Sequence, residues 1–121
     1  MKLELNIDGH TVEIDEGPYL INGTATEETI IFAKRLVARI PKYKDAACKK
    51  LLSLYNDTWL DDEIGLLDEI GFKERLVDPS INISDEIGAA TVYFKDSDMF
   101  GGHFVEIGLN DSEVDHIGII G

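Results

Sequence analysis

The stretch Ala89–Leu109, AATVYFKDSDMFGGHFVEIGL, constrains the fold more than any other part of the chain. Ala90 to Phe94 and His103 to Leu109 are apolar runs rich in β-branched and aromatic residues. Between them lies a polar, glycine-containing connection, Lys95-Asp96-Ser97-Asp98-Met99-Phe100-Gly101-Gly102. Two strands bracketing such a segment predict a long-looped β-hairpin. A second hairpin is predicted at the start of the chain. Lys2-Leu3-Glu4-Leu5-Asn6-Ile7 alternates with period two, Asp8-Gly9 supplies the tight turn, and His10-Thr11-Val12-Glu13-Ile14 alternates again. Leu3, Leu5 and Ile7 then share a face with Val12 and Ile14 opposite, and His10 sits beside the turn as a solvated strand residue.

Between the hairpins the hydrophobic period changes to that of helices. After a loop over Asp15-Glu16-Gly17-Pro18-Tyr19-Leu20-Ile21-Asn22-Gly23, extended at Tyr19 to Ile21, Thr24 and Glu27 have the spacing of a capping box. They predict a helix over Ala25 to Ile40 with Ile30, Ala33, Val37 and Ile40 as its apolar stripe, widened by Phe32 and Leu36. Pro41 ends it and opens a second helix that reaches Trp59, striped by Cys48, Leu52, Tyr55 and Trp59. In this reading Tyr55 and Trp59 are core residues. A third, short helix is expected over Asp61 to Ile70, with Asp61, Asp62 and Glu63 at the positive end of its dipole and Gly71 as its stop.

Phe72 to Val77 is one more helical turn, Asp78-Pro79 breaks the chain, and Ser80 to Ser84 reads as a strand. Asp85-Glu86-Ile87-Gly88 turns into the central hairpin. Asn110-Asp111-Ser112 is a turn, and Ile117 to Ile120 a last strand against His103 to Leu109. The expected fold class is α+β: an antiparallel sheet of five or six strands with two or three helices on one face. With 121 residues, residues 1–121 are expected to form one domain, large enough to remove about two-thirds of its unfolded surface from water.

Composition narrows the function. The formal net charge is −13, which argues against a partner bound through nucleic-acid phosphates, whose attraction for basic side chains supplies most of that affinity. The span Lys34 to Lys50 holds seven basic residues and one acid, net +6, so the remainder carries 4 basic and 23 acidic residues, net −19. Acidic side chains suit a protein partner with a basic surface, where charge complementarity speeds association and sharpens selectivity. The basic span facing the acidic helix of another copy would give a homodimer. The N-terminus lacks the apolar core of a signal peptide and no segment approaches the ~20 apolar residues of a membrane span, so no membrane partner is expected and the cytoplasm is the expected location. Cys48 is the one cysteine; on a helical stripe it is expected to be a buried, inert thiol.

Potentially reactive groups concentrate in the central loop, where Asp96, Asp98 and His103 fall within eight positions. Alternation along β-structure places His103 on the side of Val105, Ile107 and Leu109, at the inner edge of the sheet, with Asp96 or Asp98 as its nearest partner. Asp96-x-Asp98 with Gly101 imitates the opening of an EF-hand loop, but Phe100 and Ile107 occupy its fifth and twelfth positions, where Ile107 replaces the required Glu. No His-Glu-x-x-His, Gly-x-Ser-x-Gly or phosphate-cradling Gly-Lys-Ser/Thr occurs.

The run Phe72-Lys73-Glu74-Arg75-Leu76-Val77, then Ser80-Ile81, then Phe94-x-Asp96-x-Asp98-x-Phe100-Gly101-Gly102-His103 resembles a group of uncharacterised bacterial domain-of-unknown-function proteins. They carry a similar aspartate-rich loop ending in aromatic-Gly-His or aromatic-Trp-Gly-His. The resemblance implies a candidate immunity protein that neutralises a bacterial toxin. The leading expectation is therefore a non-enzymatic acidic binding module with no catalytic residues and no cofactor. Asp61, Asp62, Asp68, Glu69, Asp96 and Asp98 would meet the basic partner, with His103 in the same loop and Phe100 as an aromatic anchor if it is exposed. The alternative is a metal-dependent hydrolase or small-ligand binder that uses Asp96, Asp98, His103 and His116.

Overall fold

The computed structural model describes residues 3–15, 20–21, 24–84 and 88–120. The loop expected around Glu16 to Tyr19 and Asn22-Gly23, and the turn at Asp85 to Ile87, lie outside the described residues.

The first hairpin forms as its sequence predicts. β1 (Leu3–Ile7) pairs with β2 (His10–Ile14), with Leu3 opposite Ile14 and Leu5 opposite Val12. Asp8 and Gly9 both take positive φ, 51° and 84°, the backbone twist that suits a two-residue hairpin loop. Two short strands, β3 (Leu20–Ile21) and β4 (Thr24–Ala25), pair separately from the main sheet.

Because Thr24 and Ala25 are held in β4, the first helix starts later than its capping-box spacing suggested. α1 (Glu27–Ala38) is capped by Thr26, whose hydroxyl accepts from the Thr29 backbone N–H at 3.2 Å. Phe32, Ala33, Leu36 and Val37 form its buried stripe. The break falls at Arg39, and α2 (Ile40–Leu54) takes Pro41 into its first turn, where a missing N–H costs nothing. The helical chain then rewinds into a π-helical turn over Tyr55–Trp59. That change of winding separates two residues expected to share the core stripe: Tyr55 is fully buried, whereas Trp59 is 40% exposed.

The third helix is displaced from its expected place. Over Asp61–Gly65 the Asp61 carboxylate accepts from the Glu63 and Ile64 backbone N–H groups at 2.7 and 3.2 Å, and Gly65 has φ of 76°. These are the orphan donors of a first helical turn, so Asp61 caps one turn, closed by the Gly65 N–H on the Asp61 carbonyl at 2.7 Å, and the left-handed glycine ends it there. The helix forms instead at α3 (Glu69–Glu74), capped by Asp68 through the Gly71 N–H at 2.7 Å. Gly71 thus lies inside α3 and does not end it.

β5 (Val77–Ile83), β6 (Ala89–Lys95), β7 (Phe104–Asn110) and β8 (Glu113–Ile120) complete the chain. Asp78-Pro79 bends β5 without ending it: Asp78 takes φ of 50°, and the β5–β6 register shifts between Val77 and Ser80. The six-stranded sheet has the order β1-β2-β5-β6-β7-β8. Its pairings are antiparallel except β2 with β5, which is parallel. The sheet is thus the expected six-stranded, mostly antiparallel one, with a single parallel pair where the helices occupy the crossover between those two strands and bring β5 back in the direction of β2.

One face of the sheet presents Val12, Ile14, Ile81, Ile83, Val92, Phe94, Val105 and Ile107, all buried, to Leu36, Tyr43, Ala47 and Leu51 of the helices. The alternate residues, among them Ser80, Asn82, Thr91, Tyr93 and Glu106, are only part-buried on the other face. The junction of α1 and α2 is tied to the β7–β8 turn by Arg39 and Tyr43, which both donate to the Ser112 carbonyl, at 3.0 and 2.9 Å. Arg39 also pairs with Glu113 at 3.0 Å. No helix among the described residues is long and apolar enough to cross a membrane.

Candidate functional site

The loop between β6 and β7 is organised around Asp96, which is 2% exposed. Its Oδ1 accepts from the Asp98 backbone N–H at 2.9 Å, and its Oδ2 from the N–H groups of Phe100 and His103 at 2.9 and 3.0 Å. Three donors converge on one carboxylate, and such charge-assisted bonds are about twice as strong as neutral ones. The backbone bends sharply to make this possible: Ser97, Asp98, Gly101 and Gly102 all have positive φ, at 47°, 66°, 77° and 83°. From outside, Arg75 donates to the Ser97 carbonyl at 3.0 Å while the Ser97 hydroxyl donates to the Arg75 carbonyl at 2.9 Å.

The same bend drives Met99 and Phe100 into the core. Phe100 is fully buried, so the exposure that an anchoring role required of it is not met. Its ring meets Tyr55, Trp59 and Phe72 at centroid distances of 6.1, 5.7 and 6.3 Å, all near edge-to-face. His103 also departs from expectation. Val105, Ile107 and Leu109 do face the helices, but β7 begins at Phe104, so His103 lies before the strand and turns back toward the loop. Its Nδ1 donates to the Phe100 carbonyl, and its ring meets the edge of Trp59 at 6.1 Å. A carbonyl can only accept, so Nδ1 carries a proton.

Of the four residues of the metal-binding alternative, Asp96, Asp98 and His103 line one pocket of about 290 Å³ without forming a metal-ligating cluster, and His116 stands apart from them. The Asp96 carboxylate points inward and is taken up by the loop's own N–H groups. His116 is on β8 opposite Gly108, four residues along β7 from the loop end, or about 13 Å at the rise of a strand. Among the described residues no group of three or more His, Cys, Asp or Glu side chains is placed to hold a metal ion.

Beside the loop lies the segment Leu54–Ile70. It contains Asp57, Asp61, Asp62, Glu63, Asp68 and Glu69 and no basic residue. Asp61 and Asp68 are partly spent as caps, while Asp62 and Glu69 are exposed. The segment also leaves large apolar side chains in water: Trp59, Leu60, Leu66 and Ile70 are 40, 46, 73 and 67% exposed. Its two halves are tied together, the π-helical turn holding the stretch from Gly65 to Leu67. Asn56 both donates to the Leu67 carbonyl and accepts from the Leu67 N–H, each at 3.0 Å, and the Tyr55 hydroxyl donates to the Gly65 carbonyl at 2.9 Å. A groove of about 550 Å³ joins segment and loop, lined by Asp61, Glu63, Ile64, Arg75, Ser97, Asp98 and Gly101.

Sequence reasoning found the acids of this region and missed its apolar members. An α-helical stripe continued through Tyr55 carries Trp59 into the core, whereas the π-helical turn leaves it exposed. The composition of Trp59–Ile70 alone, five acids and six large apolar residues with no base, is the available signal. Cys48 behaves as expected: burial pushes its thiol up from the usual range, which keeps it protonated and unreactive.

These features define a small α+β protein, a mixed sheet with one helical layer, that carries a rigid aspartate-centred loop next to an acidic and apolar segment. Residues 9–117 match the model of a family described as an uncharacterized protein conserved in bacteria (DUF2262), and the chain belongs to that family. No curated protein and no solved structure matches it.

Proposed function

We propose that this protein is an acidic binding module that captures a partner protein with a basic surface through the Leu54–Ile70 segment and the adjoining loop. In keeping with the resemblance drawn from the loop motif, the partner is a toxin that it holds inactive. The observation that carries this reading is the exposure of Trp59, Leu60, Leu66 and Ile70 within a run of six carboxylates and no base. Large apolar side chains rimmed by charge mark interaction surfaces. Aromatic residues supply the anchoring energy, and the charges set association rate and partner choice. Trp59 takes the anchoring part once expected of Phe100, which instead supports it from below.

Affinity capture from the native bacterium tests the proposal. A stoichiometric partner is expected, its retention falling at high salt and at least about tenfold on Trp59→Ala or on Asp62→Lys with Glu63→Lys. No stoichiometric partner, or one indifferent to these changes, would overturn it.

A further inference from the structure

Among the described residues β8 is one edge of the six-stranded sheet and β1 the other. β1 has five residues, β8 eight. An edge strand turns a row of N–H and C=O groups outward, and proteins usually blunt it with Pro, Lys, inward charges or a bulge. β8, Glu113-Val114-Asp115-His116-Ile117-Gly118-Ile119-Ile120, has no Pro and no Lys. Its acids and the register shift between Gly108 and Leu109 both fall toward its first half. The second half runs in regular register against β7, Ile117 with Ile107, Gly118 with Glu106, Ile119 with Val105 and Ile120 with Phe104. It carries no charge. Ile117 and Ile119 pack against the core but are only partly buried, and on the other face Phe104 and Ile120 are 42 and 37% exposed.

We infer that this edge pairs antiparallel with the same edge of a second copy of the chain, with Gly118 at the two-fold axis. An antiparallel edge is complementary to itself, so each contact occurs twice. This register sets Ile117 of each copy opposite Ile119 of the other on the helix-covered face. On the open face it places His116 opposite Ile120. The two glycines meet at the centre with no side chains between them. Glu113 and Asp115 of the two copies do not face each other, whereas a basic partner would find no carboxylate in the half of the strand that does the pairing. The pairing is independent of the Leu54–Ile70 segment and has the opposite salt response: two chains of net charge −13 repel, so screening strengthens the dimer.

Light scattering or sedimentation of the full chain over about 10 μM to 1 mM, at about 0.02 M and about 0.5 M salt, tests the inference. The expected result is a mass that rises toward that of two chains with concentration, more steeply at high salt. A Cβ at Gly118 meets nothing within 4 Å, so Gly118→Lys should fold normally. Two lysines opposite one another would then hold the chain monomeric throughout. Gly118→Cys should give a reducible cross-linked dimer under mild oxidation, since Cys48 is buried. A monomer under all conditions would overturn the inference, as would a dimer that Gly118→Lys leaves intact or a Gly118→Cys chain that does not cross-link. So would a dimer that dissolves as salt rises, the behaviour of a basic span docked on an acidic segment.

Discussion

Replacing Asp96 by Asn tests whether one carboxylate holds the β6–β7 loop together. Asp96 accepts three backbone N–H bonds, from Asp98, Phe100 and His103, and a bond to a charged acceptor contributes about 1.5–3 kcal/mol. An asparagine can keep its oxygen on the two donors that share Oδ2. Its amide nitrogen then faces the Asp98 N–H, donor against donor. One bond is lost and the other two lose their charge, a cost of about 2–3 kcal/mol. For a domain of this size that lowers the melting temperature by about 10 °C. Asp96→Ala leaves all three donors unmet, including the Phe100 N–H at a residue with no exposure, and should cost about 4–6 kcal/mol. Urea unfolding gives the stability. The amide proton shifts of Phe100 and His103 report whether the loop has opened. Asp98→Asn is the control, since asparagine tolerates positive φ, and it should lie within about 0.5 kcal/mol of the parent. An Asp96→Asn protein equally close to the parent, with both amide shifts unmoved, would refute the reasoning.

Asn56→Ala removes the two bonds that pin Leu67; it should cost about 1–3 kcal/mol and speed hydrogen exchange at the Leu67 amide, and unchanged exchange there would count against the bridge. The His116 ring lies where a Cβ on Gly108 would stand, so Gly108→Ala must swing that exposed ring aside. A loss of about 1 kcal/mol is expected that shrinks when His116→Ala is already present, measurable as a double-mutant cycle. Burial raises the proton affinities of Cys48 and Tyr43, so the folded chain keeps protons that the unfolded chain releases. The contribution is complete below the ordinary thiol value of 9.0 and declines as pH rises through it and then through the ordinary phenol value of 10.0. Thermal stability should therefore fall over that alkaline range, with the first part of the fall absent in Cys48→Ala.

Much of the architecture is local enough to be read from the chain. Period-two alternation with Asp8-Gly9 dictates the first hairpin, since a two-residue loop and a fixed apolar face leave one register. The same logic yields β6, β7 and the turn before β8, and the 3.6-residue stripe yields α1 and most of α2. Asp96, Asp98 and His103 could likewise be marked as one group, because they lie within eight residues.

What the chain alone left open depends on competition between distant groups. The parallel pairing of β2 with β5 follows from where the 62-residue crossover, residues 15–76, returns, which no local period encodes. Phe100 is buried and Trp59 exposed because a π-helical turn rotates one while the Asp96 carboxylate pulls the backbone that carries the other inward. Helix α3 moved because Gly65, with φ of 76°, ends the single turn that Asp61 caps, and the next helix starts only where Asp68 caps the Gly71 N–H. A hydrophobic period reports which residues prefer to leave water. It does not report which of several acceptors a backbone N–H will find, and in this protein that choice set the shape of the candidate site.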